Sequence, residues 1–273
     1  VPPVPGGNNS LSFDGNNDYV DLGSSDLIAG SSYTIEVKLK KTIDNQNYMS
    51  IISSGPRLHG NMEAQLYSPY QEAPYTDNKI GLSHWMSGEP ISEKELENDI
   101  WYHLGFTYDF SNSVGKVFID GQLEGSNTLG FNFGNGGSYQ PANFLLGKNM
   151  EGFFLNGNID EVRIWNTVRT QEELEYYLYS PLNGNEDGLV GYWNFNEGEG
   201  NTLTDLSGNG NDGTINGATW SGDYPVPPVF GCMDTYAGNY NPDATADDGS
   251  CDYPDNGNYS LDFNGSGDHV NLG

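Results

Sequence analysis

The sequence predicts an all-β protein built from many short strands, with one short helix. Three observations carry this. Turn formers and aromatics are abundant together: 37 Gly and 14 Pro stand beside 18 Tyr and 12 Phe in 273 residues, which suits frequent reversals between packed strands. Apolar and polar residues alternate at period two in several separate runs. One segment carries helix-start chemistry.

The strands follow in order. Leu11 and Phe13 alternate with Ser10, Ser12 and Asp14, as in a half-buried strand. Asp14-Gly-Asn-Asn-Asp18 is a turn, after which Val20 and Leu22 face the core again. Residues 33–40 alternate through Thr34-Ile-Glu-Val-Lys-Leu39, and 48–53 form another strand. The stretch from Pro56 to Pro90 is irregular, with aromatics at Tyr67, Tyr70, Tyr75 and Trp85. Dense strands then occupy 101–108 and 116–120, the second ending in an Asp120-Gly121 hairpin turn. Shorter runs cover 144–147, 157–165, 189–195 and 212–220. The helix starts at Thr170, three residues before Glu173, a capping-box spacing; Leu174, Tyr177 and Leu178 form its apolar stripe. It should run about two turns.

The chain repeats itself. Residues 10–23 recur as 260–273, with eight of fourteen positions identical, and Val1-Pro-Pro-Val4 recurs as Val226-Pro-Pro-Val229. Leu11, Phe13, Val20 and Leu22 match Leu261, Phe263, Val270 and Leu272. This organises the chain as a linker (1–7), a complete module (8–224), a Pro-rich linker (225–230), a Cys-bounded acidic unit (231–253) and the opening hairpin of a second module (256–273). The hairpin is either the start of a longer repeat array or an element offered to a neighbouring copy. In the second case Leu261, Phe263, Val270 and Leu272 form a strand-addition interface.

Net charge is −28, from 10 Lys+Arg against 38 Asp+Glu. No basic stripe is available to neutralise phosphates, so nucleic-acid binding is excluded, as is docking on an anionic membrane. No apolar run reaches membrane-spanning length.

Phe13-Asp-Gly15 with Asp18-Tyr-Val20, Trp101-Tyr-His103, Val117-Phe-Ile-Asp-Gly121 and Ile159-Asp-Glu-Val-Arg-Ile-Trp165 followed by the acidic helix resemble laminin-G-like, concanavalin-A-like jelly rolls. Gly191-Tyr-Trp-Asn-Phe-Asn-Glu-Gly198 and 205–213 look like segments that accompany this domain in secreted bacterial proteins. The resemblance covers roughly residues 8–220. It implies a two-sheet antiparallel sandwich, often with calcium at one rim, and fixes no ligand. Gly231-Cys-Met-Asp234 and Asn239 to Cys251 resemble the short acidic repeats of secreted marine and gliding bacteria, close in composition to thrombospondin-type calcium repeats. Cys232 and Cys251 bracket this unit, and a disulfide is the default reading, since so small a segment needs a staple or a metal. A disulfide places the protein outside the reducing cytosol, secreted or at the cell surface.

Calcium is the expected cofactor, and three loops qualify as oxygen donors. Asp14, Asn16 and Asp18 have alternate spacing, but Tyr19 stands where an EF-hand turn needs Gly, leaving Asp18 as the ligand candidate or an Asx turn as the alternative. Asp205, Asn209, Asn211 and Asp212 lie in a Gly-rich loop. Asp234, Asn239, Asn241, Asp243, Asp247 and Asp248 crowd the Cys-bounded unit, where they repel one another unless something neutralises them. The alternative for the Cys-bounded unit is a solvated acidic loop held by the disulfide alone. No catalytic set is expected: Asn158-Ile-Asp160-Glu161-Val-Arg163 lacks the flanking glutamates that glucanases of this fold use, and Asp160 reads as a rim ligand or a backbone acceptor. His59, His84 and His269 have unrelated contexts, and His103 reads as a packed strand residue. The sequons at Asn8, Asn258 and Asn264 are expected by chance. Two functions follow. One is a non-enzymatic structural or adhesive repeat, polymerising head to tail with other copies through the C-terminal hairpin. The other is a calcium-dependent lectin-like module for a surface polysaccharide, with Tyr67, Tyr70, Tyr75, Trp85 and Tyr139 as aromatic candidates.

Overall fold

The computed structural model describes residues 9–24, 28, 31–42, 48–54, 62–67, 78–83, 88–129 and 143–253. The chain divides into two compact units, Val1–Val226 and Pro227–Gly273.

The first unit is a two-sheet sandwich. Its strands are β1 (Ser10–Asp14), β2 (Tyr19–Ser24), β3 (Tyr33–Lys41), β4 (Tyr48–Ser53), β5 (Glu63–Tyr67), β6 (Ile80–Ser83), β7 (Trp101–Asp109), β8 (Val114–Ile119), β9 (Gln122–Thr128), β10 (Asn143–Leu146), β11 (Asn156–Trp165), β12 (Leu189–Trp193), β13 (Thr202–Leu203), β14 (Gly213–Asn216) and β15 (Thr219–Ser221). One sheet runs β15-β1-β11-β3-β7-β8-β9, with β12 also paired to β11; the other runs β13-β14-β2-β10-β4-β5-β6. The strand pairs of both sheets are antiparallel. The first two strands lie in different sheets, so Leu11 and Phe13 face Val20 and Leu22 across the core; all four are at most 1% exposed. Ile35, Val37 and Leu39 from β3, Leu104 and Phe106 from β7, and Ile159, Val162 and Ile164 from β11 complete that side. The predicted Asp-Gly turn joins β8 to β9, with φ of 51° at Asp120 and 78° at Gly121. Two successive positive φ values define the primed hairpin turn, and Gly121 adopts one without strain.

The irregular stretch after Pro56 contains β5 and β6, which period-two reading misses. β6 alternates as Ile80-Gly-Leu-Ser83 and every residue of it is buried, but a run of four is too short for its period to stand out.

Helix α1 (Gln171–Tyr176) has the capping box that the sequence predicts: the Glu173 N–H donates to the Thr170 hydroxyl, and the Thr170 N–H donates to the Glu173 carboxylate. It is shorter than two full turns. The helix and the segment after it lie on the outer face of the β11-β3-β7 region. Leu174 reaches that face at Gly105, where a Cβ would lie 3.3 Å from the Leu174 Cδ1. Trp165, Leu182, Leu189 and Tyr192 form a second apolar cluster there, with Tyr177 packed on it.

The second unit carries β16 (Phe230–Gly231) and β17 (Ala246–Asp247), paired in parallel, and a Cys232–Cys251 disulfide. Residues 254–273, and with them Leu261, Phe263, Val270 and Leu272, lie outside the described residues.

Candidate functional site

On the outer face of the β2–β6 sheet, register aligns one row of side chains. Asp21, Leu145, Ser53, Glu63 and Ser83 oppose one another across β2, β10, β4, β5 and β6. The inward neighbours Val20, Leu22, Phe144 and Leu146 are core residues, so alternation turns Tyr19, Asp21, Asn143 and Leu145 outward. At one end of this row Tyr19, Asp21, Asn143, Leu145, Lys148 and Met150 line an open cleft of about 360 Å³.

The chemistry of the cleft is mixed. Leu145 is an apolar floor outside the core cluster. The Asn143 Nδ2 donates to Asp21 Oδ2 at 2.8 Å, and Asp21 Oδ1 accepts the Gly23 N–H at 3.0 Å, so both carboxylate oxygens are engaged. The Lys148 Nζ sits 4.3 Å from the Tyr19 ring centroid and 5.4 Å from that of Phe154. Such cation–π contacts hold an ammonium in place. The loop that presents Lys148 is itself fixed. Asn149, 1% exposed, donates from Nδ2 to Glu63, and its Oδ1 accepts the N–H groups of Glu151 and Phe153. The Ser53 hydroxyl donates to the Lys148 carbonyl. A buried side chain with three partners ties the loop to the sheet at β5.

A second titratable cluster lies under the helix strap. Glu36 is 1% exposed and accepts from Trp165 Nε1 at 2.7 Å; its other oxygen lies 2.8 Å from His103 Nε2 and 3.6 Å from Arg163. Arg163 donates to Glu161 at 2.6 Å and to the strap carbonyls of Tyr177 and Ser180. The Tyr192 hydroxyl donates to Glu161. Burial alone would raise the Glu36 carboxyl, but the His103 hydrogen bond and the Arg163 charge outweigh it and hold the group below the usual range. Burial, reinforced by the Glu161 charge, pushes Asp160 well above the usual range; its Oδ1 accepts the Glu161 N–H, while Oδ2 has no hydrogen-bond partner. Asp160 is therefore a buried backbone acceptor, not a rim group. With every charged member at most 4% exposed, this cluster is closed to ligands.

Calcium takes about six to eight oxygens, and in the three acidic loops the candidate side chains engage backbone groups. Asp18 Oδ2 accepts the Asp14 N–H, and Asp14 Oδ1 accepts the Asn16 N–H, an Asx-type turn. Asp205 accepts the N–H groups of Tyr192, Ser207 and Asn211; Asp212 accepts that of Asp205, and Asn209 and Asn211 donate to the Val190 carbonyl. In the second unit Asp234, Asn241, Asp247 and Asp248 each accept an N–H two residues ahead, Asn239 accepts that of Asp252, and Asp243 donates its N–H to Asn241. Among the described residues no three His, Cys, Asp or Glu side chains are grouped to hold a metal. These side-chain-to-backbone hydrogen bonds shape the turns of the three loops. Tyr70, Tyr75, Trp85, Tyr139, His59, His84, His269, the sequon asparagines and the Tyr67 side chain lie outside the described residues.

Sequence reading did not single out Asp21, Asn143, Leu145 or Lys148. Alternation with core residues marks the first three as outward. Their meeting is set by β2–β10 pairing across 122 residues of chain, which no local pattern reveals.

The fold and this cleft define a lectin-like sandwich. Residues 14–175 match the model of the concanavalin A-like lectin/glucanases superfamily, and the chain belongs to that family. No curated protein matches the chain. Among solved structures, a putative carbohydrate binding protein from Bacteroides ovatus superposes with TM-score 0.62 at 20% identity, over 78% of this chain and 59% of that one. The chain thus spans less than two thirds of that relative's length. A heptameric SAP-like pentraxin from Limulus polyphemus gives 0.50 at 13% identity, over 76% and 94%. The CBM40 of the Ruminococcus gnavus IT-sialidase, bound to α2,3 sialyllactose, gives 0.48 at 16%, over 62% and 96%.

Proposed function

We propose that this chain is a non-enzymatic carbohydrate-binding module of a protein that works outside the cytosol. The observation that carries the reading is the cleft: a tyrosine ring, an apolar floor, an amide and an ammonium meet on the outer face of a lectin-like sheet. Sugars offer C–H faces for aromatic and aliphatic contact and hydroxyls for such polar groups. The name of the Bacteroides ovatus protein agrees with this direction. The disulfide supports an oxidising compartment. A glycan array with wild type and Tyr19→Ala tests the reading. Binding that the variant loses is expected; an array without any ligand overturns it.

Two further points belong to this proposal. Calcium at the Cys-bounded unit is proposed on charge density alone, and binding would have to draw Asp234, Asp243, Asp247 and Asp248 together. Equal melting with millimolar calcium and with chelator overturns it. Head-to-tail assembly is favoured by one observation: Leu11, Phe13, Val20 and Leu22 are core residues of the first module, so a segment bearing their equivalents at 261, 263, 270 and 272 carries the side chains that a sandwich core takes up. A monomer at every concentration in sedimentation overturns that reading.

A further inference from the structure

We infer that the cleft selects an anionic sugar, one bearing a carboxylate or sulfate group, with Lys148 as the residue that reads the charge. The inference rests on the carbohydrate reading above and goes beyond it.

The chain has 38 acidic and 10 basic side chains, so each cation has carboxylates in excess to choose from. Lys40 pairs with Asp223, Lys94 with Asp120, Arg163 with Glu161 and Arg169 with Glu173. Lys148, like Lys38, Lys41, Lys79 and Lys116, forms no ion pair among the described residues, and it lines the cleft. Asp21, the carboxylate of the same cleft, is occupied at both oxygens by Gly23 and Asn143. Two rings hold the ammonium from their faces instead, and a ring face takes up none of its three N–H donors in a conventional hydrogen bond. The cleft therefore presents a cation whose position is set and whose donors are open.

Preorganisation sharpens the point. A flexible lysine loses rotamer freedom on capturing a ligand. Here the Asn149–Glu63 bond fixes the loop and the Tyr19 and Phe154 rings fix the head group, so much of that loss precedes binding. Leu145 and Met150 beside it suit the C–H face of a pyranose. The combination of apolar floor, amide and isolated ammonium matches a sugar ring with an acidic substituent better than a neutral one. The overall charge of −28 repels such a ligand at range. That repulsion is screened beyond about 8 Å at physiological ionic strength, so recognition is by contact and is measured at such salt.

Calorimetry on the full chain tests this with three probes of similar size: trigalacturonate, a carrageenan oligosaccharide, which carries sulfate but no carboxylate, and neutral galactotriose. At least one anionic probe should bind tenfold or more tightly than the neutral one. Which one binds separates the carboxylate source from the sulfate source. Lys148→Gln should abolish the preference by weakening the anionic probe at least tenfold more than the neutral one, and Lys148→Arg should keep it. Acetylation of Lys148, followed by mass spectrometry, should slow when the anionic probe is present, and this reads the wild-type protein directly. Equal affinity for acidic and neutral probes, or equal loss of both in Lys148→Gln, overturns the charge selection and leaves the carbohydrate reading standing. An array on which only neutral glycans bind also overturns it alone, whereas an array without ligands overturns the reading beneath it.

Discussion

Glu36 and Asp160 sit in one buried cluster and respond to pH in opposite senses. Alternation along β3 reads Glu36 and Lys38 as a polar outer face, yet the structure leaves them 1% and 4% exposed. A buried charge is tolerable only when paired, and Glu36 has three partners in Trp165, His103 and Arg163. Removing one partner of such a set costs about 3–5 kcal/mol, so Glu36→Gln should lower stability by that order in denaturant unfolding. The carboxyl of Glu36 is lowered in the fold. Its contribution is therefore complete above the unfolded value and disappears as pH falls through the folded one. Asp160 is raised, so the folded state holds its proton longer than the unfolded chain does. Its contribution falls as pH rises from the unfolded value through the folded one. Asp160→Asn should be as stable as wild type or more so at about pH 8, with the difference shrinking toward about pH 4. Melting curves across that range check the sign; a variant less stable at every pH contradicts it.

At the scale of elements, α1 is a strap rather than a decoration. Six residues cannot sustain a helix alone, so its stability comes from the cap and from docking. Leu174 reaches the sheet where β7 has Gly105 in place of a side chain, and Arg163 holds the carbonyls of Tyr177 and Ser180 from below. A guanidinium at the end of a helix also suits the partial negative charge there. Thr170→Ala removes the cap and should cost about 1 kcal/mol. Hydrogen exchange should speed up in the strap around residues 171–180 before it does in β3 or β7. Uniform acceleration would mean that strap and sheet open as one.

For the whole molecule, the two units draw on different sources of stability. The sandwich has an extensive core. The Pro227–Gly273 unit has a two-stranded bridge and one disulfide with 19 residues of separation. Closing a loop of that size is worth about 3 kcal/mol in the chain-entropy model. Mild reduction should therefore unfold the Cys-bounded unit while the sandwich keeps its far-UV spectrum and main melting transition. A single transition that shifts on reduction would show that the two units unfold together.

Local pattern and tertiary contact divided the work along a physical line. The sequence by itself determined features whose cause is local: the period-two strands at β1, β3 and β7, the Asp120-Gly121 turn and the Thr170–Glu173 box. Their signals are steric or hydrogen-bonding rules spanning a few residues. The sandwich itself was implied by the resemblance of the Phe13-Asp-Gly15, Trp101-Tyr-His103 and Ile159–Trp165 segments to laminin-G-like jelly rolls. Only the tertiary structure decided what the polar faces do. Glu36 is buried because a strap 135 residues further along covers it, and Lys148 meets Tyr19 because β10 pairs with β2. Alternation says which side of a strand a residue faces, while the element that covers that side comes from a distant part of the chain.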